Sequence, residues 1–295
     1  TIMSNKSLIP DGLFGEEYAE DVAFVIKPEK LLGEAQSEYQ KSTYIQTHKF
    51  GRLIFKDGLI YLADTGNESL FEMYTHIPMQ TGKPRKNILL IGAGDGYGIK
   101  HLLDYPFVEK VTAIDIDAKF VELSKQVFPE VAWVFTDPRV DFKVIDGAEY
   151  LKTTTETFDF ILVTVGDPFT TSRTMFNAEF LQNCYKALSL EGIISMDGYM
   201  PYYTHEDSLN YDQIFEMISS VFPITRICQS TSPIMPGGLV TLIFGSKKDD
   251  PSQIEPRGDL PVKTVWYNHG IHKSSFVLPE FLKDKLKNIK GFNQF

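Results

Sequence analysis

Short apolar runs recur along the middle of the chain, each stopping at a glycine, an aspartate or a proline. The run at 87–91 ends at Gly92, and similar runs follow at 111–116, 141–145, 160–165, 193–196 and 240–244. Unbroken apolar runs of this length are typical of strands that are buried on both faces. Segments with helical spacing lie between them, notably 119–127 and 177–188. The pattern therefore predicts an α/β fold with a doubly wound, parallel sheet.

The first 85 residues have a different pattern. Short strand candidates lie at 42–47, 52–55 and 59–62, and the last two are joined by Asp57-Gly58, a strong hairpin turn. A helical stretch at 69–79 stops at Pro78 and Gly82. We expect three units: an N-terminal β-rich module at 1–85, a main domain at 86–248, and a C-terminal tail with a helix at 249–295.

A glycine-rich turn follows the first strand of the main domain and opens a helix. Its glycines are Gly92, Gly94, Gly96 and Gly98. Glycine permits a tight turn and lets a ligand approach the backbone closely, and the helix N-terminus then faces a polar group. This context predicts a nucleotide-type cofactor site in a Rossmann-like domain of the class I methyltransferase type.

Acidic residues stand at the ends of successive strands near this turn. Asp115 ends the second strand, where a carboxylate can accept both ribose hydroxyls, and Asp146-Gly147 follows the third, where an adenine amino group can be bound. Asp95 lies inside the turn itself. Beside a pyrophosphate this carboxylate would be repelled, whereas an amine-bearing sulfonium would attract it. The prediction is an adenosyl-sulfonium site rather than a dinucleotide site.

The composition of the chain limits the classes of partner that it is expected to bind. The formal charge of −10 argues against a nucleic-acid-binding surface and suits a cationic substrate. The two cysteines, Cys184 and Cys228, lie far apart, so we expect free buried thiols, no metal site and a reducing, cytoplasmic location. No signal peptide and no membrane helix are predicted.

Several motifs together resemble the spermidine synthase (polyamine aminopropyltransferase) family over nearly the whole chain. The segment 91–96 resembles the family's IGGGDG apart from Ala93, and 72–78 resembles its HEM…HxP helix. The remaining similar segments are 37–40, 51–58, 137–140, 146–147, 266–268 with His272, and 276–279. The resemblance implies an enzyme, usually a homodimer or homotetramer, that transfers an aminopropyl group from decarboxylated S-adenosylmethionine to a polyamine and releases methylthioadenosine.

The resemblance also implies roles for individual residues. The cofactor would be held by Gln40, Asp95, Asp115, Asp146 and Gly147. Asp167, the second acid of the family's DSSDP gate motif, would face the acceptor.

The acceptor side departs from the family. Thr164 replaces the first aspartate of the gate motif, which the resemblance assigns as the base that deprotonates the acceptor amine. Tyr61, Met235 and Val240 replace a glutamine, a tyrosine and a tryptophan. A missing base is tolerable when the acceptor is already nucleophilic at neutral pH. A missing carboxylate removes a repulsion against the carboxylate of ordinary S-adenosylmethionine.

These departures give a leading hypothesis and three alternatives. The leading one is transfer of an aminopropyl or 3-amino-3-carboxypropyl group to a non-standard acceptor, such as a phosphate-bearing peptide-nucleotide of microcin C type. Arg173 and Tyr202 are candidates for the acceptor side, beside Tyr61 and Met235, although Arg173 also suits a solvated loop. The alternatives are a true polyamine synthase that uses Asp167, a methyltransferase, and an inactive cofactor-binding homologue.

Overall fold

The computed structural model describes residues 7–166, 171–203, 208–258, 260 and 262–292. Its main sheet has seven strands in the order β12-β13-β11-β10-β7-β8-β9. These strands are β7 (Asn87–Ile91), β8 (Lys110–Asp115), β9 (Val140–Val144), β10 (Phe158–Val163), β11 (Leu188–Tyr199), β12 (Ile224–Thr231) and β13 (Leu239–Ser246). The predicted α/β class is confirmed.

Five neighbouring strands of this sheet, from β11 to β9, run parallel, whereas β13 is antiparallel to both β11 and β12. The prediction of a parallel, doubly wound sheet is confirmed for these five strands. It missed β12 and with it the hairpin that reverses the direction of β13. Strands β12 and β13 are joined by a short connection, which a parallel pair would not allow.

Helices cover both faces of the sheet. They are α1 (Glu68–Gln80), α2 (Tyr97–Leu103), α3 (Ala118–Val127), α4 (Gly147–Thr153), α5 (Ala178–Ala187), α6 (Tyr211–Val221), α7 (His269–Ser275) and α8 (Glu280–Leu286). Alternate side chains of β7 pack on opposite faces of the sheet. Leu89 and Ile91 pack with α5 and α6, whereas Ile88 and Leu90 pack with α1 and α2. The near-continuous apolar run that predicted this strand follows from burial on both sides.

The N-terminal module consists of a two-stranded hairpin and a four-stranded antiparallel sheet. Its strands are β1 (Phe14–Ala19), β2 (Val22–Ile26), β3 (Lys30–Gln36), β4 (Lys41–Thr47), β5 (Gly51–Lys56) and β6 (Leu59–Ala63). The sequence pattern predicted β4, β5 and β6 but not the other three. Helix α1, within the predicted module 1–85, packs its Met73 and Ile77 into the core of the main sheet. The boundary at residue 85 stays a prediction.

A buried carboxylate fixes the C-terminal segment to α1. Glu72 is 3% exposed and accepts hydrogen bonds from the backbone N–H groups of Val265, Trp266 and Tyr267 at 2.7–2.8 Å. The Tyr267 hydroxyl in turn bonds Nδ1 of His272, whose other ring nitrogen bonds the carbonyl of Pro251. Burial lowers the pKa of His272 to about 4. These family-like motifs therefore serve packing in this structure.

Replacing Glu72 with glutamine is expected to lower the free energy of unfolding by about 2 kcal/mol. The amide nitrogen of glutamine cannot accept a hydrogen bond, so at least one of the three buried N–H groups loses its partner. Urea denaturation followed by fluorescence measures the change. Glu122→Gln on the exposed face of α3 serves as the control, and equal stability of the two variants would contradict the assignment.

Both cysteines are buried and free, as predicted. In the described part of the chain, no helix is long and apolar enough to cross a membrane.

Candidate active site

The glycine turn between β7 and α2 is shaped by close approaches of the backbone. Gly92 and Gly96 have positive φ angles of 88° and 82°, which side chains other than glycine rarely adopt. A Cβ on Gly92 would lie 2.3 Å from the carbonyl oxygen of Thr164, and one on Gly94 would lie 2.6 Å from Oδ2 of Asp115. The turn is therefore pressed against the ends of the two neighbouring strands, β10 and β8.

Asp95 lies in this turn and is almost fully buried, with 2% of its surface exposed. Its Oδ2 accepts a hydrogen bond from the Tyr61 hydroxyl at 2.7 Å, and its Oδ1 accepts one from the backbone N–H of Tyr97 at 2.8 Å. Burial raises the pKa of Asp95, and the bond from Tyr61 and the charge of Lys56 partly oppose this rise. A cationic ligand beside this carboxylate would favour its charged form.

Asp115 ends β8 and lines the pocket that also contains Gly92 of the glycine turn. Its two oxygens accept hydrogen bonds from the backbone N–H groups of Gly94 and Asp117, at 2.8 and 2.9 Å. Burial raises its pKa as well, and Lys56 opposes that effect. Asp117 caps α3 and also accepts a hydrogen bond from the Gln40 side chain at 3.0 Å. The N-terminal module thus reaches the strand ends through Gln40.

Asp146 caps α4, and its Oδ1 accepts hydrogen bonds from the N–H groups of Ala148 and Glu149. A Cβ on the next residue, Gly147, would lie 2.5 Å from the Ile91 side chain, so glycine lets α4 pack closely on β7. The structure brings Asp146 and Gly147 to the same pocket as Asp115, Gly92 and Gln40. Asp146 therefore both caps α4 and lines the pocket.

Lys56, at the end of β5, was not among the residues that the sequence singled out. Its ammonium lies 3.6 Å from the ring centre of Tyr61 and 4.0 Å from that of Phe120, and it lines the pocket beside Asp115. Burial lowers its pKa, while the charges of Asp115 and Asp95 oppose that shift. Lys56 therefore acts as an internal counter-ion to the acidic strand ends.

Two pockets meet at the carboxyl ends of the strands, where open α/β sheets bind their ligands. The strand-end pocket includes Gln40, Lys56, Gly92, Asp115, Asp146 and Gly147. The inner pocket includes Glu16, Tyr61, Tyr74, Thr164, Asp197 and Met235. Val165 and Gly166 line both, so the two pockets adjoin.

Thr164 lies just past β10, at the wall of the inner pocket. Its hydroxyl donates a hydrogen bond to the carbonyl of Gly92 at 3.0 Å, and its N–H bonds the carbonyl of Ile91. A threonine hydroxyl cannot take a proton near neutral pH, so this residue supports the glycine turn and supplies no base. Tyr61 and Met235, predicted on the acceptor side, line the same pocket.

The remaining predicted site residues have other positions. Arg173 is exposed, and Tyr202 is 58% exposed with its ring stacked on Phe281 at 5.0 Å. The described walls of the two pockets include neither of them, so their role on the acceptor side stays a prediction. Their neighbours Ser172, Thr174 and Met200 do line the pockets, so the exposure belongs to these two side chains and not to their segments. Asp167 lies outside the described residues.

Asp197 is the second pocket residue that sequence reasoning missed. It lies near the end of β11, where the backbone N–H of Tyr199 donates to its Oδ1 at 2.7 Å and the Tyr74 side chain also hydrogen-bonds its carboxyl. Burial raises the pKa of Asp197 to about 6, against the effect of these two donors. The only sequence signal was an acidic residue directly after the apolar run 193–196.

A further cavity, whose walls include Phe215, Ile227 and Leu278, lies away from the glycine turn and contains none of the predicted site residues. Among the described residues, no group of histidine, cysteine or acidic side chains is arranged to hold a metal ion.

Comparison with known proteins gives a consistent result. The profile of the spermine/spermidine synthase domain matches residues 68–254. A polyamine aminopropyltransferase of Clostridium perfringens (strain SM101 / Type A) is 34% identical over 278 residues, covering 94% of this chain and 98% of the relative. The polyamine aminopropyltransferase of Bacillus subtilis (strain 168) is 32% identical over 274 residues, covering 93% and 98%.

Solved structures of spermidine synthases are similar to this chain. Spermidine synthase in complex with the transition state analogue AdoDATO superposes with a TM-score of 0.88 at 28% identity, covering 93% of this chain and 94% of that one. Spermidine synthase from Thermotoga maritima gives a TM-score of 0.87 at 29% identity, with the same coverage. The chain belongs to the spermine/spermidine synthase family and is an enzyme of the class that transfers aminopropyl groups.

Proposed function

We propose that this chain transfers the aminopropyl group of decarboxylated S-adenosylmethionine to an amine of a polyamine. The observation that carries the proposal is that Asp95, which itself lines neither pocket, connects the two. It belongs to the turn that borders the strand-end pocket, and it accepts a hydrogen bond from Tyr61 of the inner pocket. A carboxylate there can hold the donor's ammonium group while the sulfonium-bound carbon faces the acceptor.

The strand-end pocket suits the adenosyl half of the donor. Asp115 ends the strand next to the glycine turn, where ribose hydroxyls are commonly bound, and Gln40 and Asp146 supply further polar groups. Structural similarity to a spermidine synthase crystallised with AdoDATO supports the decarboxylated donor.

The inner pocket suits an alkyl diamine. Its walls include the apolar side chains of Leu70, Phe71 and Val240, which can cover a methylene chain. Glu16 and Asp197 provide carboxylates for cationic amines. This acceptor corresponds to the polyamine alternative of the sequence analysis. The names of the relatives favour it over the non-standard acceptor that was placed first.

The deciding experiment incubates the protein with either sulfonium donor and putrescine, and identifies the nucleoside and the amine that are released. Methylthioadenosine with spermidine, from the decarboxylated donor, is the expected result. Methylthioadenosine formed only from ordinary S-adenosylmethionine, or only with a phosphate-bearing acceptor, would overturn it. Release of S-adenosylhomocysteine would assign a methyltransferase, and no turnover of any acceptor would assign an inactive homologue.

Lys56 offers a prediction about the donor. Its ammonium repels a donor that carries two positive charges, and it attracts the carboxylate of ordinary S-adenosylmethionine. Replacing Lys56 with methionine is therefore expected to strengthen binding of the decarboxylated donor about tenfold and to weaken binding of the ordinary one. Calorimetric titration with both donors measures the two effects. Lys83→Met, at an exposed position, is the control, and weaker binding of the decarboxylated donor to Lys56→Met would contradict the prediction.

A further inference from the structure

A carboxylate stands one strand away from the position at which Thr164 has replaced an acid. Strands β10 and β11 are parallel neighbours, with Val163 paired to Met196. The next residues along each strand are Thr164 and Asp197, so their backbones are about 5 Å apart across the sheet. Both side chains line the inner pocket. We propose that Asp197 is the base that accepts the proton of the acceptor amine, an inference that rests on the proposed function.

The local backbone is built around this carboxylate. The pairing of β11 with β13 shifts register between Asp197 and Tyr199, and Tyr199 has a positive φ of 60°. An irregularity of this kind re-aims side chains, and such strain is concentrated at functional sites. Here it turns the N–H of Tyr199 back onto Asp197 at 2.7 Å, while the Tyr199 hydroxyl bonds the carbonyl of Gly166 at 2.9 Å. The carboxylate is thereby fixed beside the junction of the two pockets.

The transfer balances with Asp197 as the proton acceptor. The lone pair of the acceptor nitrogen forms a bond to the donor carbon next to sulfur, and the bond between that carbon and sulfur breaks. The bond's electron pair stays on sulfur, which becomes the neutral thioether of methylthioadenosine. Asp197 takes its proton from the acceptor ammonium before the attack, because a protonated amine has no lone pair. The alkylated nitrogen leaves as an ammonium, and solvent removes the proton from Asp197 before the next turnover.

The surroundings of Asp197 set its protonation. The titratable groups that face it are Tyr74 on α1, Tyr199 on β11, Tyr61 on β6 and Glu16 on β1. Its pKa of about 6 leaves it charged at neutral pH and within reach of protonation in mild acid. A base with a pKa close to the working pH is suited to both accepting and releasing a proton.

The first test is the variant Asp197→Asn. Since asparagine keeps the size and can accept from the N–H of Tyr199, we expect a folded protein with unchanged donor affinity. We expect its kcat with putrescine to fall at least about 100-fold. The double variant Thr164→Asp, Asp197→Asn returns an acid to β10 and should regain at least about tenfold of that loss. Asp284→Asn, on the exposed surface of α8, should leave kcat unchanged.

Two outcomes would overturn the proposal: a kcat for Asp197→Asn within about threefold of the wild type, or no recovery in the double variant. Both require that the wild-type protein forms spermidine. If the wild-type protein forms no spermidine, the proposed function itself has failed. That result is distinct from the two outcomes above, which would reject only the role of Asp197.

A second measurement does not depend on how Asp197→Asn folds. Tyr74→Phe removes a hydrogen-bond donor that lowers the pKa of Asp197. The acid limb of the profile of kcat against pH, measured at saturating donor and putrescine, should therefore move to higher pH. A packing role for Tyr74 would leave the limb in place, and an unmoved limb would overturn the assignment.

Discussion

Replacing Asp95 with asparagine is expected to lower kcat/KM for the decarboxylated donor about a thousandfold, equivalent to about 4 kcal/mol. Asp95 is the buried carboxylate in the glycine turn, and we assign it to the donor's ammonium group. Losing one partner of a buried, hydrogen-bonded ion pair costs about 2–5 kcal/mol, because the other charge is left without compensation. The asparagine keeps the size of the side chain, so the loss reports on charge.

Steady-state kinetics with varied donor measures this effect, and Tyr61→Phe provides the matched comparison. That variant removes the hydroxyl that bonds Asp95 at 2.7 Å but leaves the carboxylate in place. We expect a much smaller loss than for Asp95→Asn. Equal losses would mean that the Tyr61–Asp95 hydrogen bond, rather than the negative charge, is what the site requires.

The same carboxylate predicts a pH effect. Burial raises the pKa of Asp95 in the ligand-free protein, and a bound cation lowers it again. Donor binding should therefore weaken as the pH falls through this raised pKa, and binding at a pH close to it should release a proton. Calorimetry of donor binding in buffers of different ionisation enthalpy detects that proton. Asp95→Asn should release fewer protons than the wild type, and an unchanged count would assign the release to another group.

Replacing Gly92 with alanine is expected to abolish measurable donor binding and to lower the free energy of unfolding by at least about 2 kcal/mol. The new Cβ would lie 2.3 Å from the carbonyl oxygen of Thr164, and the φ of 88° is itself unfavourable for alanine. Since the obstructing atom is backbone, relief requires the turn to move away from β10. Such a movement displaces Asp95 and separates the two pockets.

Gly12→Ala is the matched control. Gly12 also has a positive φ, 79°, but a Cβ there meets no atom within 4 Å. This control should lose only the cost of the backbone conformation, about 1 kcal/mol, and should bind donor normally. Thermal unfolding and donor titration of both variants separate strain from steric contact. Equal behaviour of the two would contradict the importance of the contact between Gly92 and Thr164.

Much of the strand-end pocket could be predicted from the sequence because its geometry is local. The turn at 92–98 follows one strand and opens one helix, and Asp115 and Asp146 directly end or follow the next two strands. Parallel strands bring such positions to one edge, so linear spacing is sufficient to group them. The relatives confirm the family that these motifs indicated. The predicted dimer or tetramer stays a prediction.

The acceptor side depends on contacts that spacing does not reveal. Asp197 reaches the inner pocket because β11 continues past the apolar run 193–196 and changes register before Tyr199. Lys56 ends β5 after three consecutive buried apolar residues and precedes a hairpin turn, where a lysine is normally solvated. Only the packing of the N-terminal module against the strand ends places its ammonium in the pocket. Conversely, Arg173 and Tyr202 suited an acceptor site by chemistry, but their side chains are exposed.

Lys56 has a consequence for product release. Under the proposed function, the decarboxylated donor would bring a sulfonium and an ammonium charge to the neighbourhood of Asp95 and Asp115, where Lys56 is otherwise the nearby cation. After transfer, the thioether product is neutral and the ammonium has left with the polyamine. The two carboxylates then again lack a cation, and Lys56 is tethered within reach. Under the proposed function, the attraction between Lys56 and these carboxylates would then compete with methylthioadenosine and favour its release after each turnover.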